Sequence, residues 1–350
     1  MLREPTYSLQ LSSHATVDKY SHTIHSNKVL NNLYSERIFS SPIKTFHLAE
    51  GPGGFIEATL KMRNNPFDLY TGMTLIDKND TNIPSWKKSG QFLRENKNVF
   101  IETGADQTGN ILSLQNFVYC KDKYESSMDF ITADGGFDFS KDFKNQESSV
   151  VNLLFAQIAY AVCMQKQGGN FVLKIFDCFM LSTIDLLYLL SSFYKTVYIC
   201  KPQTSRYANS EKYVVCKDFI HSSCTNFYPY LYNCFKDMMS PSLIFTLGHS
   251  VGVNEIFGMQ CRKIEENIIN SSKLVINKRF LNINITNLFI TKLEEYNSIF
   301  GQQQIENIHS TIMLIETKYK NEKINSLLKI NIQKSIQWCI YHNIPYNFFI

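Results

Sequence analysis

A lysine inside an apolar run is the first feature of this sequence with a chemical implication. The stretch NFVLKIFDCF, residues 170–179, has the composition of a parallel strand covered on both faces, and Lys174 lies in its middle. A buried ammonium without a partner or water loses much favourable hydration. Lys174 therefore lies at the open end of a strand and faces a cleft, or it is an edge residue whose ammonium extends into solvent, or the strand assignment is wrong.

Three other charged residues can form a group with Lys174. Asp134 follows a predicted strand in ADGGFD, Glu211 precedes the last predicted strand in NSEKYVV, and Lys28 lies in the predicted helix HSNKVLNNLY. Adjacent parallel strands bring Asp134 and Lys174 to one rim of the sheet, and an antiparallel return strand can place Glu211 opposite them. Two lysines and two acids make a locally neutral group, which removes the energetic objection to burying Lys174.

A glycine-rich turn after the first predicted strand indicates a ligand site. The segment FHLAEGPGGFIEATL, residues 46–60, lets the backbone pass close to a ligand, and the helix that follows offers free N–H groups. Ligands of open parallel sheets bind beyond the carboxyl ends of the strands. The turn matches neither G-x-G-x-x-G nor a P-loop, and a plain tight turn is the alternative. The candidate ligand-binding residues are Ala49, Glu50, Gly51, Pro52, Gly53, Gly54 and Phe55.

Two acids after the second and third predicted strands suit a nucleoside. Asp77 can accept hydrogen bonds from ribose hydroxyls, and Asp106, in ETGADQTGNIL, can accept one from an adenine amino group. Asp134 lies at the same predicted rim and is a further candidate for contact with this ligand. The alternative for each loop aspartate is a solvated or capping role.

Composition restricts the class of protein. The chain has 350 residues, of which 44% are hydrophobic and 19% charged, and its net charge of +4 permits a polyanionic partner without requiring one. The nine cysteines form no CxxC pair, which favours reduced thiols in a cytosolic compartment over a disulfide framework or a metal site. The first twenty residues lack the pattern of a signal peptide. Polar residues interrupt the long apolar segments, which predicts core elements rather than a membrane span.

Strands alternate with helices from about residue 26 to residue 217, which predicts βαβ units and a mostly parallel sheet. The loop before the final strand is too short for a crossover helix, so that strand should be antiparallel. We expect an α/β domain with an N-terminal helical lead-in over 1–224 and a mainly helical C-terminal extension over 225–350. Predicted strands cover 44–48, 69–75, 98–103, 128–133, 170–176, 196–200 and 212–216. Predicted helices cover 55–63, 148–167, 181–194, 291–299 and 303–318, whereas 225–252 reads as irregular.

Four segments, in order and at compatible spacing, resemble one enzyme family. HLAEGPGGFI, ADGGFD, GGNFVLK and KPQTSRYANSEKYVVC are similar to the FtsJ-type (RrmJ-like) RNA ribose 2′-O-methyltransferases, and the resemblance covers about residues 44–216. They most resemble the eukaryotic and viral enzymes that methylate capped mRNA. HLAEGPGGFI and DQTGNIL are particularly similar to the branch that acts on the second transcribed nucleotide. The resemblance implies a Rossmann-like class I methyltransferase sheet, S-adenosylmethionine as cofactor, and capped RNA as substrate.

The resemblance also implies a mechanism. The family's Lys-Asp-Lys-Glu tetrad corresponds to Lys28, Asp134, Lys174 and Glu211. Lys28 is preferred to Lys19 because it lies 19 residues before His47 (47 − 28 = 19), about the family distance; His47 itself stands where many relatives carry an acid. A ribose 2′-hydroxyl must lose its proton as it attacks a sulfonium methyl group. Lys174 would be the general base for that proton, or a charged group that steers the hydroxyl; neither needs a metal.

The loop KPQTSRYANS is the predicted RNA contact, through Lys201, Ser205 and Arg206, and a solvated hairpin loop is the alternative. Trp86 is a candidate for stacking on a methylated guanine, although packing is the commoner role of such a residue. The C-terminal region can cover the sheet edge, extend the RNA groove or bind another capping subunit. The alternative functions are methylation of ribosomal or transfer RNA and a catalytically silent RNA-binding subunit. Composition and resemblance favour a viral protein in the host cytoplasm or virion, with a nuclear location as the alternative.

Overall fold

The computed structural model describes residues 41–77, 83, 85–136, 146–202, 205–239, 279–281, 283–316, 321–341 and 346. Both candidates for the first tetrad lysine, Lys19 and Lys28, lie outside these residues. Within them the strands are β1 (Lys44–Leu48), β2 (Leu69–Met73), β3 (Val99–Glu102), β4 (Met128–Ala133), β5 (Gln165–Ile175), β6 (Tyr194–Cys200) and β7 (Lys212–Phe219). The helices are α1 (Gly54–Arg63), α2 (Gly90–Glu95), α3 (Leu114–Tyr124), α4 (Gln146–Met164), α5 (Leu181–Phe193), α6 (Tyr228–Met239), α7 (Asn287–Glu316) and α8 (Asn321–Tyr341).

The strands form one sheet in the order β3-β2-β1-β4-β5-β7-β6. Strands β1 to β5 pair in parallel, and β7 lies antiparallel between β5 and β6. The predicted mostly parallel sheet with an antiparallel last strand is therefore confirmed. In register, Leu48 pairs with Ala133 and Ala133 with Leu173, so the chain leaves β1, β4 and β5 at a common rim.

Helix α4 is the central buried helix of one face of the sheet. Its side chains from Leu153 to Met164 are almost entirely inaccessible to solvent, and they pack with Phe46, Phe171 and Leu173 of the strands. Within the described part of the chain, α4 alone is long and apolar enough to cross a membrane. Most of its length is buried inside the protein, as the sequence predicts for a core element.

Two elements differ from the sequence prediction for local reasons. Strand β5 begins at Gln165, where a helix was expected to continue to residue 167. The side chain of Gln165 explains the difference, because its amide donates to the Met128 carbonyl (2.9 Å) and its oxygen accepts from the Tyr194 hydroxyl (3.1 Å). The two helices predicted at 291–299 and 303–318 are one helix, α7, because Gly301 lies in open space and is tolerated inside it.

The segment predicted to be irregular after residue 225 contains α6. Its aromatic residues are core residues: Phe235 stacks on Phe117 with ring centroids 4.8 Å apart. Further along the chain, Phe280 stacks on Phe155 of α4 at 5.2 Å. The carboxylate of the buried Asp185 accepts from the backbone N–H of Phe280 (2.8 Å). Residues beyond 224 thus share the core of the sheet domain, and the predicted domain boundary at that residue stays a prediction.

Candidate active site

Lys174 and Asp134 form an ion pair where β4 and β5 end. The Lys174 ammonium donates to the backbone carbonyl of Asp134 (2.8 Å) and lies 3.1 Å from its Oδ1. The two side chains are only 10% and 15% exposed. Lys174 is the next-to-last residue of β5, so it lies at the open end of a buried strand with a carboxylate partner. Removing either partner of such a pair is costly, because the other charge stays mostly buried and has lost its counter-charge.

Two aromatic residues that sequence reasoning did not single out contact this pair. Tyr213 of β7 pairs in register with Lys174, and its hydroxyl donates to Asp134 Oδ1 at 3.5 Å. The ring of Phe176 lies 5.8 Å from the Lys174 ammonium, within the range of a cation–π contact. Neither residue has a sequence signal of its own, since both belong to apolar strand ends. Tyr213 could have been identified only by its register with Lys174, and Phe176 only by its place two residues after Lys174.

Glu211 reaches the same rim at the start of β7. The next residue, Lys212, pairs with Ile175, so Glu211 enters the sheet beside the end of β5. One carboxylate oxygen of Glu211 accepts from the Ser205 hydroxyl at 3.1 Å. The complete Lys-Asp-Lys-Glu tetrad stays a prediction, because Lys28 lies outside the described residues.

Of the three predicted RNA contacts, only Arg206 is exposed. Ser205 is buried against Glu211. Lys201 is 5% exposed, and its ammonium donates to both oxygens of Asn209, backbone and side chain, and to the Glu211 carbonyl (2.7 Å). Burial lowers the pKa of Lys201 to about 7. In this geometry Lys201 holds the loop that presents Arg206.

The glycine turn packs tightly against the ends of neighbouring segments. A Cβ atom at Gly51 would lie 2.7 Å from the Ser85 carbonyl oxygen and 3.0 Å from the Thr74 side chain. The turn is closed by the Gly53 N–H, which donates to the Glu50 carbonyl (2.7 Å), and α1 starts directly after it. Because Gly51 has no side chain, its backbone can lie directly against Ser85 and Thr74. This places the N–H groups at the start of α1 at the rim of the sheet.

Glu50 is a buried acid with an unused oxygen. Its Oε1 accepts from the Ile56 N–H (3.0 Å), whereas Oε2 has no hydrogen-bond partner among the described residues. Burial raises the pKa of Glu50 to about 8, and the negative charge of Asp134 adds to the rise. The carboxyl is therefore largely protonated at neutral pH and can donate one hydrogen bond to a ligand in the turn.

The loops that carry Asp77 and Asp106 are packed together. The Ile76 N–H donates to the Thr108 carbonyl (2.7 Å), and a Cβ atom at Gly109 would lie only 2.0 Å from the Thr74 carbonyl oxygen. One oxygen of Asp106 accepts from the N–H (2.9 Å) and hydroxyl (2.6 Å) of Thr108 and from the Asn116 amide (2.8 Å). Burial opposes ionisation, but these hydrogen bonds outweigh it and lower the pKa of Asp106. The rim thus presents an ionised acceptor next to the glycine turn.

His47 and Trp86 have packing roles. His47 is fully buried, with its ring nitrogens 2.8 Å from the hydroxyls of Thr45 and Thr132. Burial lowers the pKa of His47 to about 3, so the ring is neutral. The ring of Trp86 covers Gly72 of β2, where a Cβ atom would lie 2.6 Å from it. This is a packing contact, and a stacking role for Trp86 stays a prediction.

We expect Glu50 to give the free energy of unfolding a measurable pH dependence. Between its ordinary pKa of 4.5 and the folded value of about 8, the folded state keeps a proton that the unfolded state releases. Stability therefore falls as pH rises through this window, by up to about 1.4 kcal/mol per pH unit. Glu50→Gln should remove this slope, which urea unfolding at pH 5.5 and 7.5 would measure. Equal slopes for wild type and variant would contradict the assignment of Glu50 as a protonated acid.

Comparison with known proteins is consistent with this geometry. A model of the FtsJ-like methyltransferase family matches residues 26–219. Cap-specific mRNA (nucleoside-2′-O-)-methyltransferase 2 of Drosophila melanogaster is 30% identical over 205 residues, which are 55% of this chain and 29% of that protein. Two proteins named cap-specific mRNA (nucleoside-2′-O-)-methyltransferase 1 also match. The one from Trypanosoma brucei brucei is 33% identical over 178 residues (49% of this chain, 45% of that protein). The one from Mus musculus is 37% identical over 173 residues (48% and 20%).

The chain spans less than half of the length of each of these relatives. The family match, in contrast, covers more than half of this chain (219 − 26 + 1 = 194 of 350 residues). It includes the glycine turn and the rim that carries Asp134, Lys174 and Glu211. The chain therefore belongs to the FtsJ-like methyltransferase family.

Proposed function

We propose that this chain methylates a ribose 2′-hydroxyl near the 5′ cap of mRNA, on the first or second transcribed nucleotide. The observation that carries the proposal is the ion pair of Lys174 and Asp134, because it fixes an amine beside the glycine turn where strands β4 and β5 end. The names of the similar proteins, which describe cap-specific mRNA 2′-O-methyltransferases, support the choice of substrate.

The methyl donor of this family is S-adenosylmethionine, as the sequence predicts, and its sulfonium supplies an electrophilic methyl group when it is bound. The residues at the rim fit such a molecule. The turn at Gly51 leaves no room for a side chain, Glu50 has a buried oxygen without a partner among the described residues, and Asp106 is an ionised acceptor. We assign the glycine turn and three aspartates to the binding of the donor. These residues are Ala49, Glu50, Gly51, Pro52, Gly53, Gly54, Phe55, Asp77, Asp106 and Asp134.

The chain's own chemistry centres on one proton. The attacking ribose hydroxyl must lose its proton, and Lys174 either takes that proton or holds the hydroxyl in line for attack. Asp134 fixes the Lys174 ammonium through two contacts, 2.8 and 3.1 Å long, so the amine has one orientation before the substrate arrives. Glu211 and Lys28 complete the proposed tetrad.

The substrate side of the proposal rests on the loop between β6 and β7. Arg206 is exposed there and can contact a phosphate. Lys201 and Ser205 stabilise the loop through their hydrogen bonds to Glu211. Capped RNA is the proposed partner, and further capping subunits would be partners of the C-terminal region. The cytoplasm is the proposed location, with the nucleus as the alternative.

Transfer of labelled methyl groups to three short RNAs tests the proposal. The RNAs carry a cap without ribose methylation (cap-0), a cap with the first ribose methylated (cap-1), or no cap. Methylation of cap-0 but not cap-1 RNA would assign the first nucleotide, and a requirement for cap-1 would assign the second. Equal transfer to uncapped RNA would contradict cap specificity and favour a structured RNA. Absence of transfer, with the donor still bound, would contradict catalysis by this chain alone and favour a silent subunit.

A further inference from the structure

Helix α7 packs against the sheet domain through one face of its first half. Phe289, Leu293, Tyr296 and Phe300 are all buried, and their spacing of three and four residues places them on one side of the helix. Phe289 makes an edge contact with Tyr188 of α5, with ring centroids 5.1 Å apart. The helix is therefore fixed to the core near the carboxyl ends of β5 and β6.

From this position α7 forms polar contacts with two loops at the catalytic rim. Asn297 donates its amide to the Cys178 carbonyl (3.2 Å), and its oxygen accepts from the Cys178 thiol (3.0 Å). Gln304 donates to the Ala208 carbonyl (3.3 Å) in the loop that carries Arg206. Cys178 is fully buried and lies in the loop between β5 and α5, four residues after Lys174.

The loop between β5 and α5 is held from other sides as well. The Glu147 carboxylate of α4 accepts from the N–H groups of Phe179 (3.0 Å) and Met180 (2.8 Å). The Lys212 ammonium donates to the Phe176 carbonyl at 3.2 Å. Phe176 in turn places its ring 5.8 Å from the Lys174 ammonium. A movement of this loop would therefore move a group that contacts Lys174 directly.

We propose that Asn297 is a positioning residue of the methyltransferase. It acts through Cys178 and Phe176 to keep Lys174 aligned with Asp134. Helix α7 thereby contributes to the geometry of the active site. This inference rests on the proposed function, because it takes Lys174 as the residue that meets the ribose hydroxyl. The contact uses both the NH2 group and the oxygen of the Asn297 amide. It therefore fixes both the distance and the orientation of Cys178 relative to α7.

Asn297→Ala should lower kcat for methyl transfer by roughly tenfold, since a misplacement of about 1 Å can cost up to 10²-fold. The KM values for RNA and donor should change by less than about twofold, because Asn297 contacts neither. Asn307→Ala is the matched control: its amide donates to the Gln303 carbonyl (2.8 Å) within the same helix, at an exposed position.

A second readout does not depend on activity. Amide hydrogen exchange of residues 176–180 should accelerate in Asn297→Ala and stay unchanged in Asn307→Ala. A kcat for Asn297→Ala equal to that of the control would overturn the inference, as would unchanged exchange in this loop. If wild type methylates RNA and Lys174→Ala does not, while Asn297→Ala behaves like wild type, the inference fails alone. If Lys174→Ala is fully active, or if wild type methylates no RNA, the proposed function fails. The hydrogen-exchange result then still decides whether Asn297 fixes the loop.

Discussion

Lys174→Ala should lower methyl transfer to capped RNA by about 10² to 10⁴-fold, the usual contribution of a positioned acid or base. Lys174→Arg should be equally inactive while it still binds RNA, because a guanidinium keeps the charge but cannot take a proton. Donor affinity should change far less than methyl transfer in both variants, since Lys174 pairs with Asp134 but is not itself assigned to the donor. Single-turnover transfer and equilibrium donor binding would measure the two effects separately.

Lys166→Ala is the matched control for this prediction. Lys166 lies in the same strand, β5, but at its opposite end, where its exposed ammonium pairs with Asp129 (2.9 Å). An exposed pair of this kind contributes about 0 to 1 kcal/mol, so the control should fold and methylate as wild type does. Near-normal turnover by Lys174→Arg would end the general-base interpretation, and near-normal turnover by Lys174→Ala would remove Lys174 from the chemistry altogether.

Gly51→Ala should weaken binding of S-adenosylmethionine by roughly 5- to 150-fold. The added Cβ atom would lie 2.7 Å from the Ser85 carbonyl oxygen, which is backbone, so either the turn or the segment that carries Ser85 must shift. Overpacking of this kind usually costs about 1 to 3 kcal/mol, and the displaced turn is the proposed donor site. Calorimetric titration of the donor would measure the loss.

Gly301→Ala is the corresponding control, because a Cβ atom there meets no atom of the described residues within 4 Å. Alanine inside the exposed part of a helix should raise stability by about 0.5 to 1 kcal/mol and leave donor affinity unchanged. Equal donor affinity of Gly51→Ala and wild type would mean that the turn is only a structural connection.

The part of the site that the sequence predicts well depends on parallel strands. Strands β1 and β4 have the predicted bounds, and the rule that parallel strands end at a common rim suffices to bring Asp134 to Lys174. Family resemblance added the donor and the reaction, which no strand pattern contains. It also supplied Lys28, which lies outside the described residues.

Contacts that form only in the folded chain are the part that the sequence did not predict. The sequence predicts Lys201 as an RNA contact or as part of a solvated loop, but three carbonyl oxygens from its own hairpin surround its ammonium. Asn297 and Cys178 are 119 residues apart, and no local pattern links them. The sequence predicts an irregular segment over 225–252, because burial of aromatic rings against α3, and not helix propensity, stabilises α6.

One measurement tests the central claim most directly. Two capped RNAs of identical sequence would be compared as acceptors of a labelled methyl group, one with ribose and one with 2′-deoxyribose at the first two transcribed nucleotides. We predict transfer to the ribose RNA, no transfer to its deoxy counterpart, and no transfer to either by Lys174→Ala. Equal methylation of both RNAs would contradict the account, because the methyl group would then go to an atom other than a cap-proximal 2′-hydroxyl.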